Sequence, residues 1–291
     1  MVEQAAHTRH AAGSIPASAM TSTVSRVDDQ RMQRVMAFII RYLYAAGSCG
    51  YLFTVGWLFA KHRPLLSAIG AHFGYATSTH RAMLPTLALS AVAPEQTAIQ
   101  LREPIAVDGN VSALELMVIA KLIRHHLPRQ LFEIGTFDGR TTLNMAANAP
   151  EGATVYTLDL PRGHTGVTRY PLDPSERVYV EPPPVGLRYT GTDVEHQITP
   201  LFGDSATFDF SPFVNRVDFV FVDGSHAYDY VLSDSRRARQ LLREGRGVIL
   251  WHDYAIWDGV TRALNELYME AREFQDLKHI EGTSLVCLIA T

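Results

Sequence analysis

The sequence predicts a doubly wound α/β fold: a mostly parallel, seven-stranded sheet with helices on both faces and an antiparallel last strand. Three observations predict it. From residue 112 onward, strand-length apolar runs alternate with helix-length amphipathic stretches, the pattern of a parallel sheet. Five successive apolar runs end in Gly, Asp or His, which places polar groups along one sheet edge. The two closing runs lie too close together to hold a helix between them, so they pair as an antiparallel hairpin.

The elements follow in order. Ser112-x-x-Glu115 is a capping box that opens a helix, and Pro128 stops it. LFEI (131–134) is the first strand and 139–148 the helix after it. VYTL (155–158), PLFG (200–203), VDFVFV (217–222) and GVILW (247–251) supply further strands. The stretch 227–245 is a helix that Gly245 ends. The stretch 258–273 is another, with Asp258 placed as its cap. LKHI (277–280) and SLVCLIA (284–290) form the hairpin. Residues 160–199 interrupt the alternation with a loop that carries six prolines, long enough to shape a pocket.

Ahead of this domain (111–291), residues 1–34 read as a flexible tail and 35–110 as a helical arm. Tyr42–Ala60 contains no formal charge, which is span length, but it holds three glycines and three tyrosines, and basic residues flank it on both sides. A helical arm packed on the domain or on a second copy is the expectation. The alternatives are membrane surface contact through 35–60 and a single span through 42–60.

Composition narrows the classes. A chain of 291 residues that is 47% hydrophobic and 19% charged builds a core and is not a disordered chain. A net charge of −4 argues against nucleic-acid binding through bulk charge. Two cysteines make neither a disulfide framework nor a thiolate metal cluster, so the expected setting is the reducing cytoplasm.

The chemistry-bearing residues sit at the strand ends. Glu133-Ile134-Gly135-Thr136-Phe137-Asp138-Gly139 joins a strand to a helix. Gly135 permits the sharp turn and Gly139 a close helix approach. Phe137 stands where the dinucleotide fingerprint has its second glycine, which argues against a nicotinamide-dependent oxidoreductase. Asp159 ends the next strand, where a carboxylate can accept both hydroxyls of a ribose; the alternative is a turn aspartate before Pro161. Asp204-Ser205, Asp223-Gly224-Ser225-His226 and His252-Asp253-Tyr254 follow at the next three strand ends. His226 and His252 are candidate bases, each weighed against a local structural hydrogen bond. Tyr228, Tyr254, Trp251 and Trp257 read as packing or as walls of an acceptor site.

This run of motifs resembles the class I S-adenosylmethionine-dependent methyltransferases over about residues 110–291. E-x-G-x-x-x-G, an acid ending the next strand, G-D-S, V-D-G-S-H-x-Y and W-H-D-Y occur in that family's order. The resemblance is to a bacterial branch related to catechol-type and macrolide- or sugar-modifying O-methyltransferases. It implies Glu133, Gly135, Thr136, Asp138 and Gly139 around the methionine part of the cofactor, Asp159 on the ribose, Asp204 and Ser205 near the adenine, and Asp223 nearby. It implies methylation of a small-molecule hydroxyl, with Asp223, His226 and His252 as catalytic candidates. It also raises Mg²⁺ or another divalent cation at Asp223, His252 and Asp253, although His is a poor ligand for Mg²⁺. A homo-oligomer is expected. A membrane-anchored protein with a degenerate site is the remaining rival, and the intact Gly135, Gly139 and Asp159 argue against it.

Overall fold

A computed structural model describes residues 17–59, 62, 65–66, 69, 80–107, 109–172, 176, 179 and 185–291, with the side chains of 17–31 and 34 excepted. The chain divides into two units between residues 69 and 70.

In the first unit, α1 spans Ala17–Thr54 and a short 3-10 turn follows at Gly56–Leu58. A non-helical tail to residue 34 is therefore corrected. No proline or glycine interrupts residues 17–46, so no breaker stops α1 from extending back well before the apolar stretch; residues 1–16 lie outside the described residues. Within α1, Val35–Thr54 has a mean hydropathy of 1.3 and is long and apolar enough to cross a membrane. Phe38, Ile40, Leu43 and Tyr44 are all exposed, so this stretch has no single apolar face.

The second unit is built on one eight-stranded sheet. Its strands are β1 (Thr86–Leu87), β2 (Gln130–Ile134), β3 (Thr154–Asp159), β4 (Ile198–Phe202), β5 (Phe219–Val222), β6 (Gly247–Trp251), β7 (Lys278–Ile280) and β8 (Val286–Ala290), in the order β1-β7-β8-β6-β5-β2-β3-β4. Every pairing is parallel except those of β8, which runs antiparallel to both β6 and β7. The sheet thus holds one strand more than the seven expected. The addition is β1, a two-residue edge strand too short to register as an apolar run.

The helices are α2 (Ala113–His126), α3 (Arg140–Asn148), α4 (Tyr228–Leu241) and α5 (Asp258–Glu270). The central strands alternate strictly. Leu131, Phe219, Phe221, Val248 and Leu250 face the layer that holds Leu116, Ile119 and Ile123 of α2 and Leu143 of α3. Phe132, Ile134, Val220, Ile249 and Trp251 face the layer that holds Val231 and Leu241 of α4 and Leu264 of α5. β5, buried throughout, is the continuous apolar run of a strand covered on both sides.

Two expectations are corrected here. Residues 80–110 belong with the sheet and not with the arm. The Tyr254 hydroxyl accepts from the Met83 and Leu84 amides, and Asn144 and Asn148 of α3 bond to the backbone of Arg102 and Gln100. Asp258 does not cap α5: Trp257 holds the cap position, and Asp258 Oδ1 instead accepts from the His80 amide at 3.2 Å. The segment 160–199, as far as it is described, is a loop of turns that ends in a 3-10 turn at Glu195–Gln197 and the start of β4, and its return limb is tied to the body where Arg188 Nε donates to Asp138 Oδ2 at 3.1 Å.

Candidate functional site

The C-terminal ends of β5, β2, β3 and β4 lie side by side and line one cleft. Gly135 begins it. Its φ is +99°, and a Cβ there would stand 2.0 Å from the Asp223 carbonyl oxygen, so only glycine lets the ends of β2 and β5 meet.

Asp159 lines the cleft from the end of β3. Its Oδ2 accepts from the Phe137 amide at 2.8 Å and its Oδ1 from the Leu160 amide at 2.7 Å. Each oxygen keeps lone-pair capacity toward the cleft. Burial pushes this acid up to about 6, against the pull of the backbone donors.

Four of the expected cofactor residues stand behind the wall rather than on it. Glu133 is fully buried; its Oε2 accepts from Thr142 and, at 2.6 Å, from Thr157, while Oε1 has no partner among the described residues. Burial pushes Glu133 up to about 8, the two threonines opposing. The Thr136 hydroxyl meets that of Thr157 at 2.5 Å. Asp138 accepts from Asn110, Arg188 and the Arg140 amide, which clamps the motif loop. Gly139, at φ +85°, leaves room for the Tyr189 ring. Gly135, Asp159, Asp204, Ser205 and Asp223 do line the cleft. Asp204 is largely committed to the protein, accepting from the Tyr230 hydroxyl at 2.9 Å and from the Ala206 and Arg169 amides.

Beside the cleft, acids and imidazoles interleave. His252 Nδ1 lies 3.0 Å from Asp223 Oδ1 and 3.3 Å from Asp253 Oδ2, and its Nε2 is 3.4 Å from Glu115 Oε2. His226 Nε2 lies 2.7 Å from Asp253 Oδ2; its Nδ1 is 2.9 Å from Glu176 Oε1 but poorly aligned, since that oxygen accepts the His226 amide. Asp253 takes a left-handed φ of +67°, which costs backbone energy and turns its carboxylate back into the cluster. Donor atoms of Asp223, His252 and Asp253 all lie within 4.8 Å of one another. Burial opposes charge on His226, but Asp253 and Glu176 overcome it and raise the imidazole to about 10. His252 is raised well above its ordinary value by Asp253 and Asp223, again against burial. Asp253 is lowered, the two imidazoles outweighing its burial.

Trp257 stacks on His226 at 4.3 Å and 8°, whereas Trp251 is core, its indole donating to Ser235. Tyr254 is fully buried packing, and the Tyr228 hydroxyl donates to Glu266.

Two cluster acids escaped the sequence reading as functional groups. Glu115 was legible only as a helix cap, and nothing in the local pattern marks Glu176, which the proline-rich loop delivers to Ser225 and His226.

Residues 132–254 match the family model described as a methyltransferase domain. No curated protein matches the chain. Among solved structures, the chain is similar to the O-methyltransferase TomG of Streptomyces achromogenes in complex with SAM (20% identity, 77% of this chain and 97% of that one, TM-score 0.44). It is also similar to an O-methyltransferase of Bacillus cereus in complex with SAH (16%, 63% and 84%, TM-score 0.42) and to the SAH-bound methyltransferase PaMTH1 of Podospora anserina (16%, 63% and 81%, TM-score 0.45).

Proposed function

We propose that this chain, an S-adenosylmethionine-dependent methyltransferase with a class I fold, methylates a hydroxyl oxygen of a small molecule such as a sugar or a natural product. One observation carries the reading. Asp159 and the pair Asp223 and His226 line the same cleft, and His252 and Asp253 bond directly to that pair. A nucleoside anchor and a proton-handling cluster therefore face one space.

The residues fit the cofactor. Gly135 lines the cleft where β2 and β5 meet, and Asp159 retains acceptor capacity for ribose hydroxyls. When bound, S-adenosylmethionine supplies an activated methyl sulfonium, so the chain has to align the acceptor, exclude water and receive a proton. Thr168, Leu172, Glu176 and Tyr179, from the loop between β3 and β4, cover the cleft and limit water. We assign Asp223, His252 and Asp253 as the holders of a divalent cation, on the convergence of their donor atoms and the left-handed backbone of Asp253. A mixed nitrogen and oxygen set suits a manganese- or iron-type ion better than Mg²⁺. Such an ion lowers the pKa of an acceptor hydroxyl when bound. His226 Nε2, 2.7 Å from Asp253 Oδ2, holds that carboxylate beside His252.

The catalytic unit belongs in the cytoplasm, where the methyl donor is made. The all-round exposure of the apolar part of α1 favours contact with a membrane over packing in a protein groove. The central test is calorimetry with S-adenosylhomocysteine, followed by labelled methyl transfer to a panel of hydroxylated acceptors. Binding of nicotinamide dinucleotides in its place would overturn the reading.

A further inference from the structure

Glu176 belongs both to the cofactor cleft and to the acid–imidazole cluster, yet it comes from neither a strand end nor a helix of the sheet. The loop between β3 and β4 delivers it, and it lines the cleft together with Thr168, Leu172 and Tyr179 of the same loop. It is only 3% exposed, its carboxylate being taken up at the end of β5. Oε2 accepts from the Ser225 hydroxyl at 2.9 Å, and Oε1 accepts from the His226 amide. The Ser225 oxygen accepts in turn from the Ala227 amide at 3.2 Å, so three consecutive residues of this turn are pinned.

His226 is the residue so held. Glu176 Oε1 stands 2.9 Å from its Nδ1, a charge contact rather than an aligned hydrogen bond, and Asp253 Oδ2 stands 2.7 Å from its Nε2. Trp257 covers the ring at 4.3 Å, and a Cβ on Gly259 would come within 2.1 Å of the His226 carbonyl oxygen, so the start of α5 packs on its backbone. Asp253 is the less secure partner, because its left-handed φ of +67° is unfavourable for a residue with a side chain. The oxygen that meets His226 is also the one 3.3 Å from His252 Nδ1. A contact path therefore leads from the cleft wall through Glu176 and His226 to Asp253.

Resting on the cofactor and cation readings above, we propose that Glu176 is a positioning residue that links the two sites: through His226 it holds the Asp253 carboxylate among the cation ligands, and it does so most firmly when a ligand in the cleft orders the loop that carries it. Ordering supplied by one ligand does not have to be supplied again by the next. Cofactor and cation therefore favour each other's binding, by the same factor in either direction.

The test is calorimetry of the full chain with Mn²⁺ and S-adenosylhomocysteine, each titrated with and without the other, counting the Mn²⁺ binding that Asp253→Asn removes. In the parent each ligand should tighten the other at least fivefold. Glu176→Ala should bring that factor close to one, and His226→Ala, on the other side of the same contact, should do the same. Glu176→Gln, isosteric and still able to accept from the His226 amide, should keep a factor of at least threefold. A merely structural role would weaken both ligands and leave the factor at its parental value. That result in Glu176→Ala, or in His226→Ala where Glu176→Ala fails to fold, would overturn the proposal. So would a Glu176→Gln factor as low as that of Glu176→Ala, or no linkage in the parent. Failure to bind S-adenosylhomocysteine would instead overturn the cofactor reading. Binding of that ligand with no Mn²⁺ site would overturn the cation assignment and this proposal with it.

Discussion

The Glu115 carboxylate closes the capping box of α2 and reaches His252 with the same oxygen: Oε2 accepts from the Ser112 amide at 2.7 Å and lies 3.4 Å from His252 Nε2. Oε1 accepts from both the amide and the hydroxyl of Ser284. A helix start, the turn before β8 and the acid–imidazole cluster therefore share one side chain. Glu115→Ala removes a cap worth about 1 kcal/mol and leaves buried donors at Ser284 unpaired at about 1–3 kcal/mol. Urea unfolding should show a loss of about 2–4 kcal/mol, and a loss below 0.5 kcal/mol would refute the shared role.

At Asp159 the expectation concerns cofactor affinity. Loss of two charge-assisted hydrogen bonds in Asp159→Ala costs about 1.5–3 kcal/mol, which is roughly 10- to 150-fold in S-adenosylmethionine affinity. Phe137 and Leu160 also lose their acceptor, so the folded fraction has to be measured alongside. Unchanged affinity in a folded variant would remove Asp159 from the binding site.

Chelation addresses Asp223, His252 and Asp253. Methyl transfer should stop in excess chelator and return with added Mn²⁺ or Mg²⁺. Asp223→Asn and Asp253→Asn should abolish that rescue while leaving S-adenosylhomocysteine binding largely intact. Full turnover in a preparation shown by elemental analysis to be metal-free would return proton removal to His226 or His252, whose Ala variants would then lose about 10²–10⁴-fold.

Glu133 makes stability depend on pH. Its ordinary value is 4.5, and burial raises it to about 8 in the folded chain. The folded state therefore holds a proton that the unfolded state has released, so stability from this group is greatest below pH 4.5 and falls as pH rises toward 8. The slope is at most about 1.4 kcal/mol per pH unit. Glu133→Gln, a neutral mimic of the protonated acid, should flatten it in denaturant titrations at pH 5 to 8. A variant with the parental slope would refute the assignment.

The exposed apolar stretch Val35–Thr54 predicts behaviour in the centrifuge. Full-length protein should pellet with membranes and need detergent for release, whereas residues 70–291, compact as a unit, should stay in the supernatant. Full-length protein that remains soluble without detergent, as a defined dimer, would favour the packed arm.

Most of the sheet was legible because its strands are short apolar runs with helices between them, and both turn signals and periodicity agree at β2, β3, β5 and β6. β1 was not, because two residues carry no period. Asp258 misled because a side chain suited to capping was recruited by His80, 178 residues away in sequence. At the site, Gly135, Asp159 and Asp223 were readable from their strand-end positions. Glu133, Thr136, Asp138 and Gly139 share that motif but are taken up by Thr142, Thr157, Arg188 and Tyr189, partners that tertiary packing and not the motif spacing supplies. Glu176 depends on tertiary contacts that no local spacing encodes.

The antiparallel strand β8 lies between β6 and β7 although both precede it in the chain. Until β8 arrives, β6 is an open edge and β7 has no neighbour joining it to the main body. The ladder of β8 to β6 joins residues 35 to 43 apart, fewer than the 88 between β2 and β5, whereas the bond of Ser284 to Glu115 crosses 169 residues. That bond ties the turn before β8 to the start of α2, beside the acid–imidazole cluster. The closing strand therefore joins the edge pair β1 and β7 to the main body, and truncation before residue 284 should leave β6 an open edge and Glu115 without its Ser284 donors.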